Sequence, residues 1–382
     1  MAGILVATHK YTMSKKSNSN LHWAKNAKND EFYTQYADIQ REMNAYIEFD
    51  RNVFRWKTIL LPCDDPEWSN FTKFFAQNFE YFGLKKLIST SFATESKNYK
   101  TNYQPTLFET KSPKFDKNKT TIKWKIFTLT HDTNKNWKID IDDLERDYLE
   151  WDGDFRSDEI KQLRDEADII ITNPPFSLFR EFIPRIIEAK KKFIIIWNIN
   201  CVSYKEIFPL IATNKLRVWS RFNKRINWKN MTFWVPDDYP MIWTELYINE
   251  KWEKFISVAW TWRFTNLDHG RRHQPIQLMT MADNLKFSKH KEILKDWYQK
   301  YDNYDAIEVP YTDAIPSDYN WIMWVPISFI SKYCPEQFEI LDINPHFFSM
   351  IEQWLEKPKQ LTLKKSGKKD PYARLLIRKK QK

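Results

Sequence analysis

Apolar residues along this chain gather in short runs, and helical spacing fills the stretches between them. Residues 57–63 (KTILLPC) form such a run and stop at Asp64-Asp65-Pro66, as a buried strand stops at a turn. From 70 to 82, Phe71, Phe74, Phe75, Phe79 and Phe82 recur at helical spacing, and Gly83 stands where a helix C-cap belongs. Residues 84–92 (LKKLISTSF) give the next strand. Strand, helix and strand in that order predict a parallel pair joined by a crossover. The grammar repeats downstream: a helix over 160–167, a strand over 168–172 (DIIIT), then a helix over 178–189 kinked by Pro184. That last helix turns Phe179, Phe182, Ile183, Ile186 and Ile187 inward, and 193–196 (FIII) is another strand. The fold class this predicts is α/β, a doubly wound, mostly parallel sheet.

The same pattern divides the chain. Residues 1–24 are polar and predicted to be disordered, whereas 30–43 have helical character. A catalytic domain is expected over 25–215, carrying a polar insertion at about 96–150. Beyond about 215 the pattern changes to short strand-like stretches such as 231–235 and 246–248. Residues 216–360 therefore read as a smaller C-terminal recognition region, and 361–382 as a basic tail rich in lysine.

Composition adds three points. Lys and Arg number 60 against 50 Asp and Glu, a net charge of +10, and a basic surface attracts polyanions such as nucleic acid. Part of the excess sits in the tail, so charge alone does not decide the partner. The three cysteines, Cys63, Cys201 and Cys334, have neither metal-ligand nor disulfide spacing, which suits a reducing compartment. There is no signal-peptide apolar core and no run of the ~20 apolar residues a membrane span needs, so the cytoplasm is the expected location.

Glycine and tryptophan depart from any ordinary composition. The chain has 5 glycines and 18 tryptophans, where average usage would give roughly 27 glycines. Several tryptophans stand in turn contexts that call for a residue able to take positive φ: Trp137, Trp228 and Trp252 among polar neighbours, Trp151 before Asp152-Gly153, and Trp197 after an apolar strand. UGA is read as tryptophan in some genetic codes and as glycine in others. The expectation is that many of these positions are glycine in the native protein. A genuinely tryptophan-rich surface is the alternative.

The strongest chemical signal is Asn173-Pro174-Pro175-Phe176, directly after DIIIT. In an open α/β sheet the carboxyl ends of the strands are where ligands bind. Two prolines fix the backbone and remove two N–H donors. The Asn173 amide oxygen and Pro174 carbonyl can then accept both hydrogens of an exocyclic amine, while Phe176 offers a flat face to a purine. A base in a duplex reaches such a pocket only when flipped out. Asn-Pro is also a common strand-terminating turn.

Asn-Pro-Pro-Phe resembles the catalytic motif of amino-methylating DNA methyltransferases. Four longer stretches resemble the EcoRI-type adenine-specific DNA methyltransferases: Asp30-Glu31-Phe32-Tyr33-Thr34, Cys63-Asp64-Asp65-Pro66, Gly153-Asp154-Phe155-Arg156-Ser157, and residues 266–273. The likeness runs from about residue 24 to at least 345. It implies S-adenosyl-L-methionine as methyl donor, double-stranded DNA as substrate, and a bacterial role either in restriction-modification, with a cognate restriction endonuclease encoded nearby, or as an orphan modification enzyme. Phe32, Tyr33 and Thr34 match the segment flanking the donor's methionine moiety, and Cys63, Asp64, Asp65 and Pro66 stand where relatives have a glycine-rich turn. Asp154 and Phe155 match the acid and aromatic that hold the donor's adenine. The usual Phe-x-Gly-x-Gly form is absent, and an indole at Trp197 would crowd a turn after a central strand.

Asn266, His269, Arg271, Arg272 and His273 form a polar, basic stretch suited to phosphates or guanine edges, and equally a solvated loop. Asp132, Asn134, Asn136, Asp140 and Asp143 occupy positions 1, 3, 5, 9 and 12 of a calcium loop, with Trp137 where glycine belongs. A structural Ca2+ there competes with a plain surface turn. Three functions remain open: an adenine-N6 methyltransferase acting on DNA, one acting on RNA adenine or protein glutamine, and a catalytically inactive DNA-binding relative. Oligomeric state is not set, and a monomer suffices for each.

Overall fold

Successive residues of a strand point to opposite faces of a sheet, and in the central strands here both faces are buried. The computed structural model sorts them cleanly. Ile59 and Leu61, Ile169 and Ile171, and Ile194 and Ile196 pack into one core. Their neighbours Leu60, Ile170, Phe193 and Ile195 pack into the other. The structure describes residues 34–62, 64, 69–91, 110, 114–116, 118–119, 123–150, 156–174, 179–219, 232–235, 246–257, 261–296, 298–301, 304–344 and 373–381.

Helix α1 (Tyr36–Phe49) precedes β1 (Thr58–Leu61), after which α2 (Asn70–Gln77) and the single turn α3 (Phe79–Phe82) lead to β2 (Lys86–Ser91). Strands β3 (Lys125–Leu129) and β4 (Glu145–Tyr148), helix α4 (Asp158–Glu166), β5 (Ile169–Thr172), α5 (Phe179–Glu188) and β6 (Lys192–Asn198) follow. Then come α6 (Phe208–Ala212), β7 (Arg217–Trp219), β8 (Thr232–Val235), β9 (Leu246–Ile248), β10 (Lys254–Ser257) and β11 (Thr261–Thr265). The last strands are β12 (Ile307–Glu308), β13 (Met323–Pro326), β14 (Phe338–Asn344) and β15 (Arg374–Lys379).

The main sheet has eight strands in the order β4-β3-β2-β1-β5-β6-β11-β7. Strands β2, β1, β5 and β6 are mutually parallel. Two antiparallel steps at either side, through β3 and through β11, leave only those two strands running against the rest. Ile39, Met43 and Tyr46 of α1 join Phe71, Phe74 and Phe75 of α2 on one face. Phe182, Ile183 and Ile186 of α5 join Phe208 and Ile211 of α6 on the other. Helices on both faces make this the doubly wound α/β fold that the apolar runs predict. Strands β8, β10 and β9 form a small antiparallel sheet, and β12-β13-β15-β14 form a third. No helix among the described residues is long and apolar enough to cross a membrane.

Five expectations need correction. The helix expected over 70–82 breaks at Asn78, whose side-chain amide competes for the Phe74 carbonyl at 2.8 Å. Gly83 does close the second piece, at φ 60° and ψ 44°. Part of the insertion at 96–150 is sheet, because β3 and β4 extend it beyond β2. The main sheet also outruns the boundary near residue 215, since β7 and β11 are its strands. The basic tail contains β15, which lies between β13 and β14 with Leu375, Leu376 and Ile377 fully buried. Its cations are held within the protein, Arg374 by Glu308 at 2.9 Å and Arg378 by Glu339 at 2.5 Å. The strand escaped the sequence reading because Arg374 on one side and Arg378, Lys379 and Lys380 on the other mask a three-residue apolar centre. Finally, Trp197 is not in a turn: it lies within β6, buried and opposite Trp262 of β11. Residues 1–24 lie outside the described residues.

Trp137 and Trp252 take the positive φ expected of their turn contexts, and so does Trp56, which no turn signal singled out. Trp56, Trp137 and Trp252 have φ of 58°, 68° and 62°, and they are 72%, 95% and 81% exposed. The left-handed region costs a residue with a Cβ roughly 1–2 kcal/mol, and an indole in water returns nothing. Trp151 and Trp228 lie outside the described residues.

Across the sheet, Arg263 of β11 and Glu42 of α1 form an ion pair of 2.6 Å with both side chains fully buried. Removing one member of such a pair strands the other charge, at about 3–5 kcal/mol. Urea unfolding of Glu42→Ala is expected to show a loss of that size, with the double variant Glu42→Met/Arg263→Met recovering most of it. Replacing Trp56, Trp137 and Trp252 together by glycine is expected to raise stability by about 1–3 kcal/mol, after allowing for glycine's larger unfolded-state entropy. Sequencing of the gene gives the matching readout: UGA at these codons is expected, and UGG at all three removes the recoding account.

Candidate active site and nucleic-acid interface

Strand β1 sends its chain to β2 on one side, while β5 lies on its other side. The carboxyl ends of β1 and β5 therefore flank the switch point, where a doubly wound sheet opens a crevice. A direct bond ties the two ends together: the Thr172 hydroxyl donates to the Pro62 carbonyl. Asn173, 9% exposed, and Pro174, also buried, come next after β5.

Asp64 follows β1 and is 5% exposed. Its N–H donates to the Thr90 carbonyl at 2.8 Å, which prolongs the β1–β2 pairing by one more residue. The Thr72 hydroxyl (2.8 Å) and the Ser89 hydroxyl both donate to its carbonyl oxygen. Ser69 donates to Asp64 Oδ1 at 2.7 Å, and its Oγ also accepts from Phe71 N–H as the N-cap of α2. One serine thus starts the helix and aims the acid. Thr34 arrives from the other side, where its carbonyl accepts from Asn70 Nδ2 at 2.8 Å. Thr34 is 3% exposed and its hydroxyl is buried with no hydrogen-bond partner among the described residues.

Thr34, Asp64, Asn173 and Pro174 are thus brought to one end of the sheet, although they are spread over some 140 positions of sequence. A buried carboxylate and an unsatisfied hydroxyl there suit a ligand carrying both an ammonium and a carboxylate, such as an amino-acid moiety. Phe32, Tyr33, Cys63, Asp65, Pro66, Asp154, Phe155, Pro175 and Phe176 lie outside the described residues. Sequence reasoning missed Ser69 and Asn70, which hold Asp64 and Thr34. Their signal was the Ser-Asn pair at the start of a phenylalanine-rich helix.

The basic stretch after β11 is less open than its composition suggests. Asn266 accepts from Phe193 N–H and donates to the Lys191 carbonyl, both at 2.9 Å, so its amide pins the start of β6. His273 stacks on Phe49 and sits between Glu336 (2.8 Å) and Asp268 (3.0 Å). The bond to Glu336, then that to Asp268, raises its pKa above the ordinary value. His269 is 7% exposed against Tyr46 and Trp219. Burial, with Arg217 and other cations nearby, lowers its pKa to about 3 against the opposing pull of Asp268. Arg272 is buried and Arg271 is exposed, with its guanidinium over the Trp219 ring.

The turn at 132–143 closes on itself. Asp132 accepts from Asn136 and Trp137 N–H, Asn134 from Asn136 N–H, Asn136 from Lys138 N–H, and Asp143 from Thr133, Asn134 and Asp140 N–H. Asp140 accepts from Asp142 N–H. Among the described residues no three His, Cys, Asp or Glu side chains gather as a metal site.

Comparison with known proteins decides the family. A family model described as adenine-specific methyltransferase EcoRI matches residues 20–380. The Type II methyltransferase M.EcoRI of Escherichia coli is 37% identical over 365 residues, covering 96% of this chain and 98% of its own. The chain belongs to the EcoRI adenine-specific methyltransferase family. Two further relatives are mycoplasmal. The Type II methyltransferase M.MgeORF184P of Mycoplasma genitalium is 34% identical over 94% of this chain and 98% of its own. M.MpnI of Mycoplasma pneumoniae is 30% identical over 85% and 86%. No solved structure matches. In this methyltransferase Asn173-Pro174 and Asp64 follow the two strand ends that flank the crevice.

His269 gives the site a pH signature. A histidine whose folded pKa is depressed leaves stability intact above its unfolded value, about 6.5. Stability then falls as pH drops towards the folded value of about 3, because the unfolded chain takes up the proton first. Urea midpoints between pH 7 and pH 5 are expected to fall, by at most about 1.4 kcal/mol per pH unit from this residue, and His269→Gln should flatten that part of the profile.

Proposed function

We propose that the chain is a site-specific DNA methyltransferase that moves a methyl group from S-adenosyl-L-methionine to N6 of an adenine flipped out of duplex DNA. The observation that carries this reading is the meeting of Thr34, Asp64 and Asn173-Pro174 at the crevice between β1 and β5. Family membership and the full-length likeness to Type II methyltransferases support it.

When bound, the sulfonium donor supplies a methyl group already activated for displacement, so the protein's share is alignment. Asp64 accepts from the donor's ammonium, and the Thr34 hydroxyl donates to its carboxylate. Asn173 Oδ1 and the Pro174 carbonyl accept the two hydrogens of the adenine amine. That holds the nitrogen lone pair towards the incoming methyl carbon, and Phe176 stacks on the purine. The excess proton of the methylated amine is handed along the same acceptors towards water. Neither a metal nor a covalent enzyme nucleophile enters the reaction. Burial raises the Cys201 thiol well above its ordinary pKa, in keeping with a structural role. In the cell this activity protects DNA from a cognate restriction endonuclease.

The test is transfer of labelled methyl from S-adenosyl-L-methionine to plasmid DNA, followed by nucleoside analysis. N6-methyladenine is the expected product. Asn173→Ala is expected to lower kcat about 10²–10³-fold, as loss of one oriented hydrogen-bonding group does, with the fold intact by circular dichroism. Label in RNA or in protein glutamine, with none in duplex DNA, would overturn the substrate. DNA binding without any methyl transfer would point to an inactive relative.

A further inference from the structure

At the outer edge of the main sheet β7, the turn after β11 and residues 330–333 enclose a pocket of about 220 Å³. Its walls carry Arg217, Arg271, Arg272 and Lys332, together with His269 and Trp219, and no acidic side chain among the described residues lines it. Two carboxylates stand behind the wall. Asp268 lies 3.0 Å from Arg217 and 4.0 Å from Arg272, and it also holds His273. Glu336 holds the other nitrogen of His273. Four cations against two carboxylates leave the pocket net positive even if His273 is neutral.

Hydrogen-bonding capacity is in surplus as well. Arg272 is 6% exposed, and its Nη2 is buried with no hydrogen-bond partner among the described residues. Arg217 Nε and His269 Nδ1 are in the same condition. Buried guanidinium donors left unsatisfied cost roughly 1–3 kcal/mol each, so a ligand that accepts several N–H bonds and carries negative charge is what this wall is built for. Guanidinium forks match the oxygens of a phosphate.

We propose that this pocket binds a phosphate group, and that in the working enzyme the group is a backbone phosphodiester of the substrate DNA. This rests on the function proposed above. The sheet's register supports the DNA source over a free anion. Thr172 of β5 pairs with Ile195, Ile195 with Phe264, and Phe264 with Val218, so these four residues share one row across the sheet. Trp219, at the pocket wall, therefore lies in the row of Asn173, three strands away. At a strand spacing of about 4.8 Å that is ~14 Å, or about four nucleotides of a DNA strand at 3.4 Å each. A strand leaving the flipped adenine along the carboxyl edge reaches the pocket within that length.

The experiment compares the whole protein with the double variant Arg271→Gln/Lys332→Gln, both positions being exposed so that the fold is retained. Arg272→Gln serves as a second variant, with its fold checked by circular dichroism. Binding of fluorescein-labelled duplex DNA is measured by anisotropy across a salt series, and inorganic phosphate is tested for its effect on Tm without DNA. The expected result is a salt slope shallower by about 0.9 in the variants, one phosphate contact, which over a fourfold salt range is about 3.5-fold in affinity. Inorganic phosphate should raise the Tm of the wild type and not that of the variants. Phosphate stabilisation with an unchanged DNA slope would assign the pocket to a free anion and overturn the DNA source. An unchanged slope and no phosphate effect would overturn the pocket altogether. A wild-type protein that binds no duplex at all would instead bring down the proposed function and the DNA source with it, while the phosphate arm still reads the pocket.

Discussion

Glu42 and Arg263 meet in complete burial, and much of the architecture hangs on their meeting. Burial pushes the Glu42 carboxyl above the ordinary range, and the Arg263 guanidinium is the principal force holding it down. Asp38, one turn earlier on α1, is raised by burial and opposed by the same guanidinium and by Arg41. An arrangement that depends so strongly on one cation tolerates little displacement. It fixes α1 across the sheet and keeps β11 between β6 and β7. Thr34 enters the crevice just before α1, and Tyr46, on the next turn, packs against Trp219 and His269 at the edge pocket. One ion pair thus sets the positions of both the candidate cofactor residue and the candidate phosphate pocket.

The crevice follows from topology more than from any single contact. Because β1 pairs in parallel with strands on both sides, the connections leave in opposite directions and the strand ends are left open between them. Asp64 and Asn173 are the residues that come next. Ser69, Thr72 and Ser89 around Asp64 are short hydroxyl side chains, which satisfy a buried carboxylate and its backbone without filling the space a ligand would take. Where most methyltransferase sequences would be expected to put a glycine-rich turn, this chain has a hydrogen-bonded acid.

The sequence disclosed what local periodicity encodes. Apolar runs bounded by turn residues located β1, β2, β5 and β6, because those strands are buried on both faces and read as continuous hydrophobic stretches. The DIIIT run followed by Asn-Pro-Pro-Phe marked the working end of the sheet for the same reason. Long-range pairing was not legible. Strands β3 and β4 carry alternating polar residues and looked like insertion, β11 returns from a distant stretch to enter the main sheet, and β15 hides three buried residues among cations. The basic stretch at 266–273 was legible only as charge: that Asn266 pins β6 and that His269 and Arg272 are buried depends on what folds over them. Turn chemistry was clearer, since the positive φ at Trp137 and Trp252 was expected from their polar neighbours alone.

The separation of Glu42 from Arg263, 221 positions along the chain, has a meaning for how the molecule is made. At about 5–20 residues per second a ribosome needs roughly 10–45 s to bridge that gap. Throughout that interval the amino-terminal helix is available while its counter-charge does not exist, and towards its end β6 and β7, once made, await the strand that will separate them. The central parallel strands can condense early, but the edge of the sheet is sealed late. A nascent chain of this protein therefore has its candidate crevice outlined while its flank is still open, and the closing event is the arrival of a single arginine.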